Sequence, residues 1–581
     1  MSIGRSGERA VVVCAGVTLA LFGLTASAGA EVASWTAPLG GDWFTPANWS
    51  TGAPPSLAGI ASFTLAAPNN YDVTLNSSAT LAAMKASFDK PRLVLGPAVQ
   101  LQLAGSSGLL VGGATTTNNT TFTISGGTVL APRVDIGSAV GTFTTVTFED
   151  ATTVNVSGNF SLGLSGSGGS VSVTEGSKLT IGGDLKLPGG GANYTLLEAT
   201  GAGSAIMLTT NLQTGTNDPH INVSDGALLS VPGFAKIASF TGVPGVVVSG
   251  TDSRFTVGGT LDVGYNVGGT GWYGYVGAFD HSTVEVGGMI RVQSQTAPSA
   301  TLAASGGATI KGSEVAIAAN VFNWGGLVDI DDGHLILTGS LVGSQPLNAA
   351  RLVMSGPIDA SGLWILSGSS SGSQTILEVS GTTHASNVTL GSSSTIRGRG
   401  GLLDCNVTTG GLVHVRVLDT GFDTLAVGGD CTLGTSGSMW VQWDTDFENL
   451  DYLNAPPLLD VAGTLTLNGP LTVSIDSTDS FWDKVRPPIV LAQAQAIEGS
   501  FSGASIDSYP GAALELRVTP TQIILQRQLS ADFDNDGDVD ATDLATLLGA
   551  WRGRAEHDLN GDGIVECADL AILLSQWTGA W

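Results

Sequence analysis

Charge is the scarcest ingredient of this chain: Asp, Glu, Lys and Arg together make up only 12% of its 581 residues. The basic side is the thinner one, with 22 Lys and Arg against 49 Asp and Glu and a net charge of −27. A surface this acidic repels phosphate backbones and anionic bilayers, which argues against nucleic acid as a partner and suits bound cations. Cysteine is scarce too, and one of the four, Cys14, falls in the N-terminal leader. The other three, Cys405, Cys431 and Cys567, are an odd number and supply no complete disulfide framework. Cys405 and Cys431 are one repeat length apart, so they either face each other on adjacent coils or stay as two buried thiols. Six histidines and no visible Ser-His-Asp order give nucleophilic hydrolysis no positive support. After the leader, no apolar run is long enough to span a bilayer, so no transmembrane span is expected in the mature chain.

What is present points to many short strands. Hydrophobic residues are 42% of the chain, too many for disorder, and 82 residues are glycine. The glycine has no three-residue period, which excludes a collagen helix. It instead punctuates short alternating runs.

Residues 1–30 read as a secretory signal peptide: Arg5 and Arg9, an apolar stretch from Ala10 to Leu24, then Ala28-Gly29-Ala30 before Glu31. A secreted, extracellular or cell-surface protein is expected. Residues 31–60 carry Trp35, Trp43 and Trp49, placed either to stack on sugars or, as expected here, to cap the open end of a core.

The stretch 61–430 is repetitive. Val154-Asn-Val-Ser-Gly-Asn-Phe-Ser-Leu-Gly163 recurs from Leu179, from Phe255 and from Val284, with a looser copy from Leu229. Each unit alternates apolar and polar residues on both sides of a glycine-containing turn. Alternation is the strand signature, and units of this length bury an apolar face only by stacking. The expected architecture is a right-handed parallel β-helix, with antiparallel sandwiches built on hairpins at the glycine pairs as the alternative. Residues 431–527 change character and read as a β-rich closing segment. That segment resembles the end of autotransporter-like secreted β-helices, although no outer-membrane barrel follows and self-transport is not implied.

Two loops near the C-terminus align at a spacing of 26. One is Asp532-Phe-Asp534-Asn-Asp536-Gly537-Asp538-Val-Asp540-Ala-Thr-Asp543. The other is Asp558-Leu-Asn560-Gly-Asp562-Gly563-Ile564-Val-Glu566-Cys-Ala-Asp569. Both place oxygen ligands at positions 1, 3, 5 and 12 and glycine at position 6, as a calcium loop requires. Position 7 offers a backbone carbonyl (Asp538, Ile564), and position 9 holds Asp540 and Glu566. Two calcium ions are expected. After the loops, Leu544, Leu547, Leu548 and Trp551 mark one helix face. Leu570, Leu573, Leu574 and Trp577 repeat it 26 residues on, so the two faces should pack together.

Asp at position 12 and the absence of a helix entering the first loop set the pair apart from a full EF-hand. Residues 530–581 resemble a type I dockerin. That resemblance implies a cohesin domain as partner, contacted through loop positions 10 and 11, here Ala541-Thr542 and Cys567-Ala568, and through the following helices. These pairs differ between the halves and from the usual Ser-Thr, which argues against two equivalent binding orientations.

The resemblance also implies polysaccharide-degrading company, so sites for a glycoside hydrolase or polysaccharide lyase were sought. Asp329-Ile-Asp331-Asp332-Gly333-His334 reads as a turn. Trp440, Trp443, Asp444, Asp446, Glu448 and Asp451 read as a junction loop. Trp272-Tyr273-Gly-Tyr275 with Asp280 and His281 either projects aromatics for sugar stacking or fills a gap. The expected protein is a non-catalytic β-helix tethered by its C-terminal module, possible contact with polysaccharide included; the alternative is a tethered polysaccharide-degrading enzyme.

Overall fold

The computed structural model describes residues from 30 to 578, apart from segments 113–118, 138–142, 164–167, 188–194, 215–218, 239–243, 265–272, 295–299, 320–326, 332, 339–340, 345–350, 355–357, 361–362, 367–374, 393, 419–420, 444–454, 476–487, 508–513, 528, 535–537, 554–556 and 561. The signal-peptide expectation over 1–30 thus lies almost wholly outside the described residues. No helix among those described is long and apolar enough to cross a membrane.

The chain is mainly β and winds as a parallel β-solenoid. One coil shows the plan: strand Phe143–Glu149, a tight turn, strand Thr153–Val156, a bend, then strand Phe160–Leu162. Each strand pairs in parallel with its successor one coil on, at Gly168–Val173, Lys178–Ile181 and Leu185–Leu187. Three parallel ladders result. The antiparallel alternative is not realised in the coils, because the glycine pairs are bends and not hairpins. At these bends the backbones of successive coils touch: Gly259 N–H donates to Gly233 O at 2.8 Å and Gly288 N–H to Gly259 O at 3.0 Å. A Cβ on Gly287 would come within 2.5 Å of the Gly258 carbonyl oxygen. Glycine is therefore required there by close approach.

The sequence repeats coincide with the structural register. Val154 pairs with Leu179, Leu229 with Phe255, and Phe255 with Val284. All five, with Ile206, Ile310 and Leu335 on the same ladder, are fully buried. A further coil, Ala205–Leu208 and Leu212–Thr214, sits in this stack with Thr209-Thr210 where its neighbours have glycine.

The turn before this ladder holds a column of buried small residues, Thr152, Ser177, Ser204, Ala227, Ser253 and Ser282. Three of the hydroxyls take up backbone donors of the turn in the preceding coil: Thr152 N–H donates to Ser177 Oγ at 3.0 Å, Gly176 N–H to Ser204 Oγ at 3.0 Å and Gly226 N–H to Ser253 Oγ at 2.9 Å. Asp150, Asp225 and Asp280 adopt left-handed φ values of 59°, 56° and 53° at this corner, a conformation Asp tolerates better than most residues. Ser253→Ala removes the hydroxyl but keeps the volume. It is expected to cost about 1 kcal/mol, read as a lower denaturation midpoint, and an unchanged midpoint would show the column to be dispensable.

Trp35, Trp43 and Trp49 are almost completely buried. Trp43 and Trp49 meet edge to face at 4.7 Å and Trp35 packs on Phe63 at 6.2 Å. The Trp49 indole N–H donates to the Trp43 carbonyl at 2.7 Å. These rings fill the first coils and offer no face to a sugar.

The change of character expected at 431 is not a change of fold. Parallel pairing runs on through Cys431–Leu433, Leu459–Leu467 and Ala504–Asp507. Antiparallel pairing closes the end, where Gln522–Arg527 pairs with Ile489–Gly499 on one side and Leu514–Val518 on the other, and it occurs once more within the coils, between Leu412–Leu418 and Gly421–Asp423. Cys405 and Cys431 are buried and unbonded. Burial, then Asp404 beside Cys405 and the neighbouring thiol beside Cys431, push both up to about 12. Exposed Cys567 is therefore expected to be the one thiol that a disulfide reagent titrates at pH 8 in the native protein. Three fast thiols would contradict the buried placement.

Candidate metal centre

The C-terminal unit has its own hydrophobic cluster. Ala531, Val539, Leu547, Val565 and Leu573 are buried, with Phe533, Leu544, Trp551, Leu559, Leu570 and Trp577 packed around them. Val539 and Val565, Leu547 and Leu573, and Trp551 and Trp577 are each 26 residues apart, so the duplicated sequence builds a duplicated core. Two helices follow the loops, α1 (Ala541–Gly549) and α2 (Cys567–Ser575). Each loop is tied to the exit of the other helix. Val539 N–H donates to Thr578 Oγ1 at 2.6 Å, and Arg552 N–H donates to Val565 O at 2.9 Å.

The helix faces are narrower than expected. Leu547 and Leu573 are fully buried, but Leu548 and Leu574 are 49% and 42% exposed. One turn of helix places i+3 and i+4 about 100° apart, and with so small a partner only one of the two fits inside. The pair therefore lies at matching places on the surface.

Asp543 and Asp569, at position 12 of each loop, are fully buried. Asp543 accepts from Phe533 N–H at 2.6 Å and Asp540 N–H at 2.9 Å. Asp569 accepts from Leu559 N–H and Glu566 N–H, both at 2.7 Å, and from Asn560 N–H at 3.1 Å. Burial alone would raise the Asp569 pKa; the backbone donors of Glu566, Asn560 and Leu559 outweigh it and hold the group below the usual carboxylate value.

In the first loop, one oxygen each of Asp532, Asp534 and Asp543 lies within 4.8 Å of the others. Asp536 falls outside the described residues, and Asp538 is exposed. In the second loop Asp558 accepts from Gly563 N–H. Asn560 Oδ1 accepts from Asp562 N–H at 2.9 Å, and Asp562 Oδ1 from Ile564 N–H at 3.0 Å. Gly563 has φ 93°, the left-handed turn that position 6 demands. The oxygens thus curl inward on a loop that glycine reverses. A carboxylate oxygen that accepts one N–H keeps a second lone pair for a cation.

Asp540 and Glu566, at position 9 of each loop, also occupy the N-cap positions of α1 and α2. Asp540 Oδ1 accepts from Thr542 N–H at 2.7 Å. The signal was present as the capping pattern Asp540-x-x-Asp543 and Glu566-x-x-Asp569. The expected contact positions Ala541, Thr542, Cys567 and Ala568 are all exposed. No protein-family model and no curated protein matches this chain.

The other candidates separate. Asp331 ends its strand opposite Ser305, at the corner where Asp150, Asp225 and Asp280 turn, and Asp332 lies outside the described residues. Trp443 points into the core and Trp440 stacks outside on His414 at 4.4 Å. Asp444, Asp446, Glu448 and Asp451 lie outside the described residues, as does Trp272. Tyr275, however, is on the outer face of its strand, half-buried.

Proposed function

We propose that the C-terminal unit binds two calcium ions, one per loop, and in that state attaches the solenoid to a partner protein. The carboxylate triad of Asp532, Asp534 and Asp543 carries this reading. Three hard oxygen donors meet there, and by loop position Asp536 and the Asp538 carbonyl would add a fourth and fifth, a donor set of calcium type. Asp558, Asn560, Asp562, the Ile564 carbonyl and Asp569 are the counterparts in the second loop. Asp540 and Glu566 complete the sets through water.

Calcium supplies the positive charge that lets the loop carboxylates converge. The chain's own residues do the rest. Position 12 joins each loop to its helix, and the helices present Leu548 and Leu574 with the exposed pairs Ala541-Thr542 and Cys567-Ala568 beside them. A cohesin-like domain is the partner such a surface suits by resemblance to type I dockerins. The solenoid, right-handed by the rule for parallel crossovers, is then the tethered body: a secreted, non-catalytic stalk or adhesive element.

Calcium titrated onto the full chain by calorimetry is expected to fill two sites, and Asp543→Ala to fill neither, because both loops share one small core that folds only with the ions. No saturable uptake by the wild-type chain would remove this reading.

A further inference from the structure

The outer face of the first ladder, that of Phe143–Glu149, carries a feature that the calcium unit does not use. In strand Gly274–Phe279, Tyr275 and Phe279 point outward and are half-buried, with Gly277 between them. The ends of both rings converge above Gly277: a Cβ there would lie 2.6 Å from the Tyr275 hydroxyl oxygen and 2.6 Å from Phe279 Cε2. Two rings whose tips meet over a glycine lie along the strand direction and not upright on the sheet. Their paired neighbours are Gly245 and Thr301 beside Tyr275, and Val247 and Ala303 beside Gly277. One coil further, His220 approaches Tyr275 across Gly245, where a Cβ would lie 3.5 Å from His220 Nδ1 and 3.8 Å from Tyr275 Cδ1.

One row of outward positions runs Glu198, Asn222, Val247, Gly277, Ala303, Asp329 across successive coils. Five strand spacings make it about 24 Å long. Within this stretch Glu198 and Asp329 are the only carboxylates, one on each side of the aromatic pair, and the row continues to Ser172 and to Val353 beyond them. Burial, and then Asp329, push the Tyr275 hydroxyl up, so it stays a protonated donor at neutral pH.

We propose that this face binds a neutral polysaccharide strand, its sugar rings stacked on Tyr275 and Phe279. A pyranose presents a face of C–H groups whose slight positive charge suits the negative face of an aromatic ring. Its hydroxyls suit Asn222, Thr301 and the carboxylates on each side of the pair. A polyanion is disfavoured by those carboxylates and by the net charge of −27.

The test is affinity electrophoresis of the full chain through gels holding xylan, mixed-linkage β-glucan or galactomannan, with polygalacturonate as the anionic comparison. The wild-type chain is expected to be retarded by at least one neutral polymer and not by polygalacturonate. Tyr275→Leu with Phe279→Leu keeps an apolar cover over Gly277 but removes the ring faces. It is expected to weaken retardation roughly tenfold, the effect of losing aromatic anchors. Ala303→Lys blocks the surface without touching the rings and should act alike, which guards against a folding defect in the double variant. No retardation of the wild-type chain by any neutral polymer, equal retardation of wild type and both variants, or retardation by polygalacturonate alone would overturn the proposal. In the first two cases the rings only cover a glycine in the sheet.

Discussion

Chelating calcium is expected to melt the C-terminal unit while leaving the solenoid intact. The first loop gathers Asp532, Asp534, Asp536, Asp538 and Asp540 within nine residues, and Asp543 closes it from α1. Two carboxylates about 4 Å apart repel by roughly 1 kcal/mol in water and about 4 kcal/mol near a protein surface, and several such pairs act at once. Opposing them is a core with five buried residues among those described, too small to hold a unit of this size by itself. Binding and folding should therefore be one event. In chelator, the helical ellipticity of α1 and α2 should vanish and the emission of Trp551 and Trp577 shift to the red, with the β signal of the coils unchanged. Asp543→Ala should move the calcium unit the same way, because it strands the N–H groups of Phe533 and Asp540 at a cost of ~2–4 kcal/mol. A helical signal indifferent to chelator would show that the carboxylates do not need the ion.

Trp43→Ala is expected to have the largest effect on the solenoid. The indole is 1% exposed, and deleting a buried Trp side chain costs ~3–5 kcal/mol. Coils contact only their neighbours, so the loss should stay local. Trp49 would lose its edge-to-face partner, the indole-to-carbonyl bond to residue 43 would be mispositioned, and the strands at Val32–Ser34 and Ile60–Phe63 would fray first. Hydrogen exchange should show lost protection there and native protection beyond residue 150. Uniform protection in the variant would mean that the tryptophans are not the end seal.

The parallel coils were legible because burial and register speak through the same residues. Val154, Leu179, Phe255 and Val284 are both the inward positions and the ones that alternate most cleanly. The coil at Ala205–Leu208 escaped because Thr209-Thr210 replaces the glycine pair; backbone contact at that bend favours glycine without demanding it in every coil. The buried hydroxyl column escaped because a lone Ser or Thr in a turn looks like an ordinary turn residue, and only stacking shows that it faces inward. Composition changes after residue 431 without breaking the ladders, so a change of character in the sequence there is not a change of fold. In the C-terminal unit, spacing alone indicated the loops, the two helices and the position-12 carboxylates. It did not indicate that Leu548 and Leu574 stay outside, because helical periodicity gives a face but not the size of what covers it.

The most direct test of calcium-dependent attachment is capture by the full chain from secreted and surface proteins, in calcium and in chelator, beside the Asp543→Ala, Asp569→Ala double variant. A single partner retained by the wild-type chain in calcium, released by chelator and never held by the variant is the result expected here. If the wild-type chain takes up calcium yet retains nothing that the variant lacks, the loops serve only to fold the end of the molecule, and the attachment reading is wrong.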